Sequence, residues 1–197
     1  MKAIWTLVKV VKPLSLVVGL VAGLLILSSG SIGCGVAQLD RFDNSNLPVT
    51  TVEQLHITGA APEVNIEDYR LVVDGLVETP LSITYESILD YPTVTDVVLL
   101  VCPGFFTDNA EWTGVPLTTL LEEAGIKSEA SEVTFYALGS EYKVALPLEV
   151  VQQEGVFLAH MVNGEVLPVE HGYPLRLVVR GNYGYDWIKW VGRIEVV

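Results

Sequence analysis

The sequence predicts an α+β domain dominated by sheet, and three observations carry that reading. Short β-branched and apolar runs recur along most of the chain, bounded by Gly, Pro, Asn or Asp. Only two or three stretches have helical spacing, and each is brief. Strands and helices do not alternate as βαβ units, no internal repeat is present, and no phosphate-cradling glycine loop follows a strand. Nucleotide-binding folds are thereby disfavoured.

Taken in order, the chain opens on an apolar segment. Leu14 to Ala37 carries no charge, with Lys2, Lys9 and Lys12 before it and Asp40 and Arg41 after it. About 20 apolar residues span a bilayer as a helix, and a lysine-bearing flank stays on the cytoplasmic side. Residues 1–40 are therefore expected to form an N-terminal hydrophobic helix, a membrane anchor or signal segment, with the rest of the protein extracytoplasmic, periplasmic or at the cell surface. Three fates are open: an uncleaved anchor, cleavage near the small residues Gly35 to Ala37, or lipidation of Cys34 within SIGC.

Residues 41–65, rich in Asn, Pro, Thr and Gly without sustained periodicity, read as a linker wrapping onto the domain, and residues 66–197 as the domain itself. YRLVVDGLVETPLSITYESILDYP, residues 69–92, reads as a strand, an Asp74-Gly75 turn, a short extended piece and a helix capped by Thr84 and stopped before Pro92. TDVVLLVC is a buried strand by its β-branched run, and PLTTLLEEAGI an amphipathic helix ending at Gly125. EVTFYAL, EYKVALPL, VFLAHMVNGEVLP, LRLVVRG and WIKWVGRIEVV follow as strands, with Asn163-Gly164 as a hairpin turn.

The net charge is −13, and it becomes −15 once residues 1–40, with three lysines and one aspartate, are set aside. Nucleic acid is excluded as a partner for such a surface. Only Cys34 and Cys102 are present, one in the leader and one in the domain, so no internal disulfide is expected.

Cys102 has two readings: a small hydrophobe in the core, or a thiolate nucleophile or soft metal ligand held at a strand end by the Pro103-Gly104 that follows. His160 in FLAHMV reads as a satisfied core or face residue, and His171 in EHGYP as presented by a turn. No motif ties His56, His160 or His171 to Cys102, which leaves a cysteine hydrolase weakly supported, and zinc-ligand spacing is missing. Residues 170–197, EHGYPLRLVVRGNYGYDWIKWVGRIEVV, gather His171, Arg176, Arg180, Lys189 and Arg193 among Tyr183, Tyr185, Trp187 and Trp190. They hold four of the eight lysines and arginines of residues 41–197, a combination that suits an anionic, planar ligand or else edge strands with snorkelling basic residues.

HGYPLRLVV and YGYDWIKWVGRIEV, with YRLVVDGLVETPLSIT, the strand-end cysteine and WTGVPLTTLLEEAGI upstream, resemble the molybdopterin-binding domain of the sulfite oxidase family, which also includes the periplasmic methionine sulfoxide reductase catalytic subunit. The resemblance covers roughly residues 65–197. It implies layered mixed β-sheets with a few short helices. It implies a molybdenum–molybdopterin cofactor, with Cys102 as the catalytic thiolate ligand of molybdenum, His171 and Arg176 at pterin-contacting positions, and Trp187, Ile188 and Lys189 on the loop that holds the phosphate end. A soft molybdenum centre suits a thiolate, which explains one cysteine without a partner. The activity implied is two-electron oxygen-atom transfer on a small oxo-compound. Electrons would pass to a separate redox partner, a cytochrome or quinone-linked membrane protein, because the chain has no haem motif or iron–sulfur cysteines.

Asp186 and Arg180 stand where the family commonly has a basic residue and a proline, so an oxyanion such as sulfite would meet less positive charge. The alternative is a cofactor-free extracytoplasmic binding or complex-assembly subunit of the same fold. The absence of arginine from the leader favours that alternative, since cofactor-loaded exported proteins usually travel on twin-arginine signals. The cysteine and the C-terminal motif favour the enzyme.

Overall fold

The computed structural model describes residues 41–197, so the hydrophobic segment of residues 1–40, with Cys34, lies outside the described residues. Among the described residues no helix is long and apolar enough to cross a membrane. The elements are β1 (Arg70–Gly75), β2 (Leu81–Thr84), α1 (Tyr85–Leu89), β3 (Val94–Cys102), β4 (Phe106–Pro116), α2 (Leu117–Ala124), β5 (Glu132–Ala137), β6 (Lys143–Pro147), α3 (Leu148–Val151), β7 (Val156–Val162), β8 (Glu165–Val166), β9 (Arg176–Val179) and β10 (Val191–Val196). They build two five-stranded sheets. The first, ordered β2-β1-β10-β5-β6, is mixed because β1 and β10 run parallel while its other pairs are antiparallel. The second runs β3-β4-β7, with β8 and β9 sharing the far edge of β7, and is antiparallel throughout. The α+β class is as the sequence predicts.

Local chemistry sets the boundaries where the sequence placed them. The Thr84 hydroxyl accepts the Ser87 N–H at 3.1 Å and starts α1. α2 ends at Gly125 in the left-handed region, φ 70°. Asn163 and Gly164, at φ 51° and 78°, join β7 to β8 in a two-residue hairpin. α2 buries Leu117, Leu120, Leu121 and Ala124 at helical spacing, and it packs on β1 of the first sheet and on β4 and β7 of the second. One core thus takes Leu71, Val73, Phe135 and Ile194 from the first sheet and Val98, Trp112, Phe157 and Leu177 from the second.

The structure departs from the sequence reading at two strands. No element was expected over residues 103–115, yet β4 there is the central partner of both β3 and β7. Its FTDNAEWTGVP carries strand-averse Asp, Asn, Glu and Gly, but the polar groups of Asp108 and Asn109 are matched by the linker. Asn109 Nδ2 donates to the Leu47 carbonyl at 3.1 Å, and Asn44 Nδ2 donates to Asn109 Oδ1 at 2.9 Å. The last strand begins at Val191 rather than Trp187, because Trp190 adopts φ 59° and interrupts the extended run. α3, a single turn after Pro147, takes Leu148 from the end of the run read as a strand and continues through residues to which the sequence reading gave no element.

Gly114 sits where β4 changes register against β7. A Cβ there would overlap the Leu158 carbonyl oxygen and lie 2.6 Å from Ala159 Cα, both backbone atoms that cannot swing aside. Gly114→Ala is expected to lower stability by more than ~3 kcal/mol, because relief requires parting the β4–β7 ladder. The denaturant midpoint measures it, and a midpoint equal to wild type would refute the constraint.

Candidate functional site

β3 delivers a cysteine to a cavity. The β3–β4 hairpin turns through Pro103–Phe105, with the Phe105 N–H donating to the Cys102 carbonyl at 3.0 Å. An isolated parallel bridge between Val101 and Tyr183 lays the Gly184–Asp186 turn alongside β3. The approach is so close that a Cβ on Gly184 would collide with Cys102 Sγ, so this turn admits glycine.

Beyond the thiol lies a cavity of about 370 Å³ that also meets Arg176, Trp187, Ile188, Lys189 and, from the linker, His56. Five of the six residues singled out from the sequence therefore converge: Cys102, Arg176, Trp187, Ile188 and Lys189. His171 does not line the cavity. It was read as presented by its turn, but it is 5% exposed, and its carbonyl accepts Arg176 Nη1 at 3.1 Å. Burial, followed by the charges of Arg176 and Lys189, lowers its pKa. His160 was read as satisfied. It is buried on β7 with no partner for Nε2, and burial lowers its pKa too.

The basic cluster of residues 170–197 is likewise divided. Arg180 pairs with Asp96. Arg193, projecting between buried Gly192 and Ile194 of β10, binds Asp74 at 2.9 Å and Glu195 at 2.9 Å. Only Arg176 and Lys189 bring positive charge to the cavity. A second cavity, about 290 Å³ beside Phe42, Asn44 and Arg180, contains no thiol, and its arginine is the one already paired with Asp96.

Arg176 is the unusual group. It is 6% exposed, and among the described residues it pairs with no carboxylate. Its guanidinium carbon lies 5.2 Å from the Trp112 ring centre and 5.9 Å from that of Trp187, favourable for a cation over aromatic faces. Its Nε has no hydrogen-bond partner, and neither does the buried Nε1 of Trp187. Burial pulls its pKa down to about 10, opposed by Cys102 and Asp108. Buried donors without acceptors are rare in folded proteins.

Lys189 Nζ donates to the carbonyls of Thr58 and, at 2.7 Å, Glu170, and it lies 4.4 Å from the Trp190 ring centre. Burial, then Arg176, lowers its pKa from 10.5 to about 8, against the pull of Glu170. The folded chain thus binds this proton less tightly than the unfolded chain. Stability should therefore rise as pH climbs from about 8 toward 10.5, while affinity for an anion in the cavity falls as the ammonium discharges. Paired thermal unfolding and phosphate binding across that interval test the opposite slopes, and parallel slopes would refute the assignment. Burial raises the pKa of the Cys102 thiol, with Arg176 lowering and Asp108 raising it.

Sequence reasoning missed Asp108 and Gly184, and it gave His56 no role. His56 and Asp108 are 52 residues apart and meet at 2.7 Å, a pairing that no local signal announces. Among the described residues, no three His, Cys, Asp or Glu side chains gather to hold a metal by themselves.

Comparison with known proteins places this geometry among relatives. The family model described as oxidoreductase molybdopterin binding domain matches residues 58–197. The chain is 30% identical to nitrate reductase (NADH) 1 of Arabidopsis thaliana over 170 residues, covering 70% of this chain and 18% of the relative. It is 32% identical to inducible nitrate reductase (NADH) 2 of Glycine max, covering 70% of this chain and 19% of the relative. The chain thus spans less than a fifth of the length of these curated relatives. The crystal structure of the sulfane dehydrogenase SoxCD from Paracoccus pantotrophus matches with a TM-score of 0.64 at 37% identity, over 69% of this chain and 40% of that one.

Proposed function

The chain belongs to the oxidoreductase molybdopterin-binding domain family, and from that premise we propose that it holds a molybdenum–molybdopterin cofactor and carries out two-electron oxygen-atom transfer of the sulfite oxidase type on a small oxo-compound. Cys102 is the thiolate ligand of molybdenum. The observation that carries the reading is Arg176: a buried cation without a carboxylate, its Nε unmatched, in one cavity with the domain's only thiol. A buried charge is costly unless paired, and an anionic ligand is the partner that the described residues do not supply.

The residues present fit such a group. Cys102 offers the soft donor that molybdenum prefers. Arg176 and Trp187 would donate Nε–H and Nε1–H to the cofactor's acceptors. The His171 carbonyl holds the guanidinium in place through Nη1. Lys189 ties the linker to the loop that closes the cavity while adding positive charge beside it. Ile188 and Trp112, both buried, exclude water around the cation and so strengthen its pull on an anion. When bound, the cofactor supplies the two-electron exchange and the oxygen-atom chemistry.

One observation favours the second reading, a cofactor-free binding or assembly subunit: the Lys189 ammonium is already engaged by two backbone carbonyls. Molybdenum and pterin content of full-length protein from a host that makes the cofactor separates the two. Near-stoichiometric content supports the enzyme, and empty protein supports the subunit. The charge pattern of residues 1–40 further supports an extracytoplasmic, membrane-attached enzyme that exchanges electrons with a separate redox protein. Protease access to the domain in permeabilised cells tests that placement.

A further inference from the structure

We propose that His56, fixed by Asp108, is a substrate-binding residue that donates a hydrogen bond from Nε2 to the oxygen of the oxo-substrate at the mouth of the cavity; this role rests on the cofactor-bound reading above. His56 is supplied by the linker and lies outside the stretch of residues 58–197 that the family model matches, so nothing in that match assigns it a task.

Three observations define its setting. Asp108 is 1% exposed, and both of its oxygens serve His56: Oδ1 meets Nδ1 at 2.7 Å and Oδ2 accepts the His56 backbone N–H at 2.9 Å. The imidazole stacks on Phe106 at 4.4 Å between ring centres and 9° between planes, which restricts its rotation. The side chain is nevertheless 54% exposed while lining the cavity that holds Cys102.

A carboxylate only accepts hydrogen bonds, so Nδ1 carries its proton toward Asp108 and Nε2 is the nitrogen left for the cavity's contents. In the doubly protonated ring both nitrogens donate, and the buried carboxylate is that ring's counter-ion. Pinning the linker requires no charge. Asn109, the next residue of β4, already binds the Leu47 and Pro48 carbonyls with a neutral amide. A buried carboxylate costs more than an amide, and what it adds is a ring held with Nδ1 engaged and Nε2 left for the cavity, with a counter-ion beside it whenever both nitrogens carry protons.

The test uses full-length, cofactor-loaded protein. Nitrate and dimethyl sulfoxide serve as probes, the His56 ring nitrogens are followed by NMR, and molybdenum per chain is measured alongside. The Nε2 resonance is expected to shift saturably with at least one probe. Asp108→Asn and His56→Gln should weaken that probe about tenfold, the scale of one charge-assisted hydrogen bond, with molybdenum content unchanged. His56→Gln keeps the backbone N–H bond to Asp108, so linker pinning alone would leave probe affinity intact and overturn the proposal. Loaded wild-type protein whose His56 resonances ignore both probes also overturns it. Protein without molybdenum overturns the cofactor reading, and this role falls with it.

Discussion

Cys102→Ser is expected to fold, to unfold within about 1 kcal/mol of wild type, and to show no oxygen-atom transfer. The substitution is nearly isosteric, and the side chain is only partly buried, so no cavity opens and little packing is lost. What changes is the donor. A thiolate is a soft ligand available near neutral pH once a cation draws the proton away, whereas a serine hydroxyl is hard and far less acidic. Burial raises the thiol's pKa, with Arg176 lowering and Asp108 raising it, and a bound metal would supply the positive charge that favours the thiolate. Loss of a direct ligand should exceed the roughly 10–100-fold effects of altering groups that merely support one. Activity at wild-type level would sink the ligand role. A large loss of stability in protein free of cofactor would instead mark Cys102 as core packing.

What the sequence disclosed and what it hid divide along the range of the interactions. Thr84, Gly125 and Asn163-Gly164 were legible because each acts on backbone within a few residues of itself, and the structure uses each as expected. The convergence of Cys102, Arg176, Trp187, Ile188 and Lys189 was legible only through family resemblance. No spacing rule brings residues 102 and 176–189 together, and the parallel bridge from Val101 to Tyr183 does it. β4 escaped notice because its buried Asp108 and Asn109 read as loop chemistry until the linker that satisfies them is in place. The four C-terminal cations looked equivalent in sequence. Strand alternation and distant partners, Asp96 for Arg180 and Asp74 for Arg193, remove two of them from the site.

Arg176→Met separates a cofactor-holding cation from a structural one by the sign of its effect on the empty protein. Among the described residues the guanidinium is buried without a counter-ion, and that burial is what draws its pKa down to about 10. Methionine of similar length can keep contact with Trp112 and Trp187 while abolishing the uncompensated charge. The loss is one hydrogen bond to the His171 carbonyl, about 1 kcal/mol, and the gain is relief of the desolvated charge, of similar or larger size. Stability without cofactor should therefore stay level or rise. With cofactor the direction reverses, because the anionic ligand loses a charge-assisted contact of roughly 1.5–3 kcal/mol, a ten- to hundredfold drop in affinity. Lys189 cannot take over, since its ammonium is held by Thr58 and Glu170. Molybdenum and pterin per chain, measured beside the denaturant midpoint of the metal-free protein, give both signs. A variant that is destabilised when empty yet retains its cofactor would show that Arg176 serves the fold and that the anion is held elsewhere.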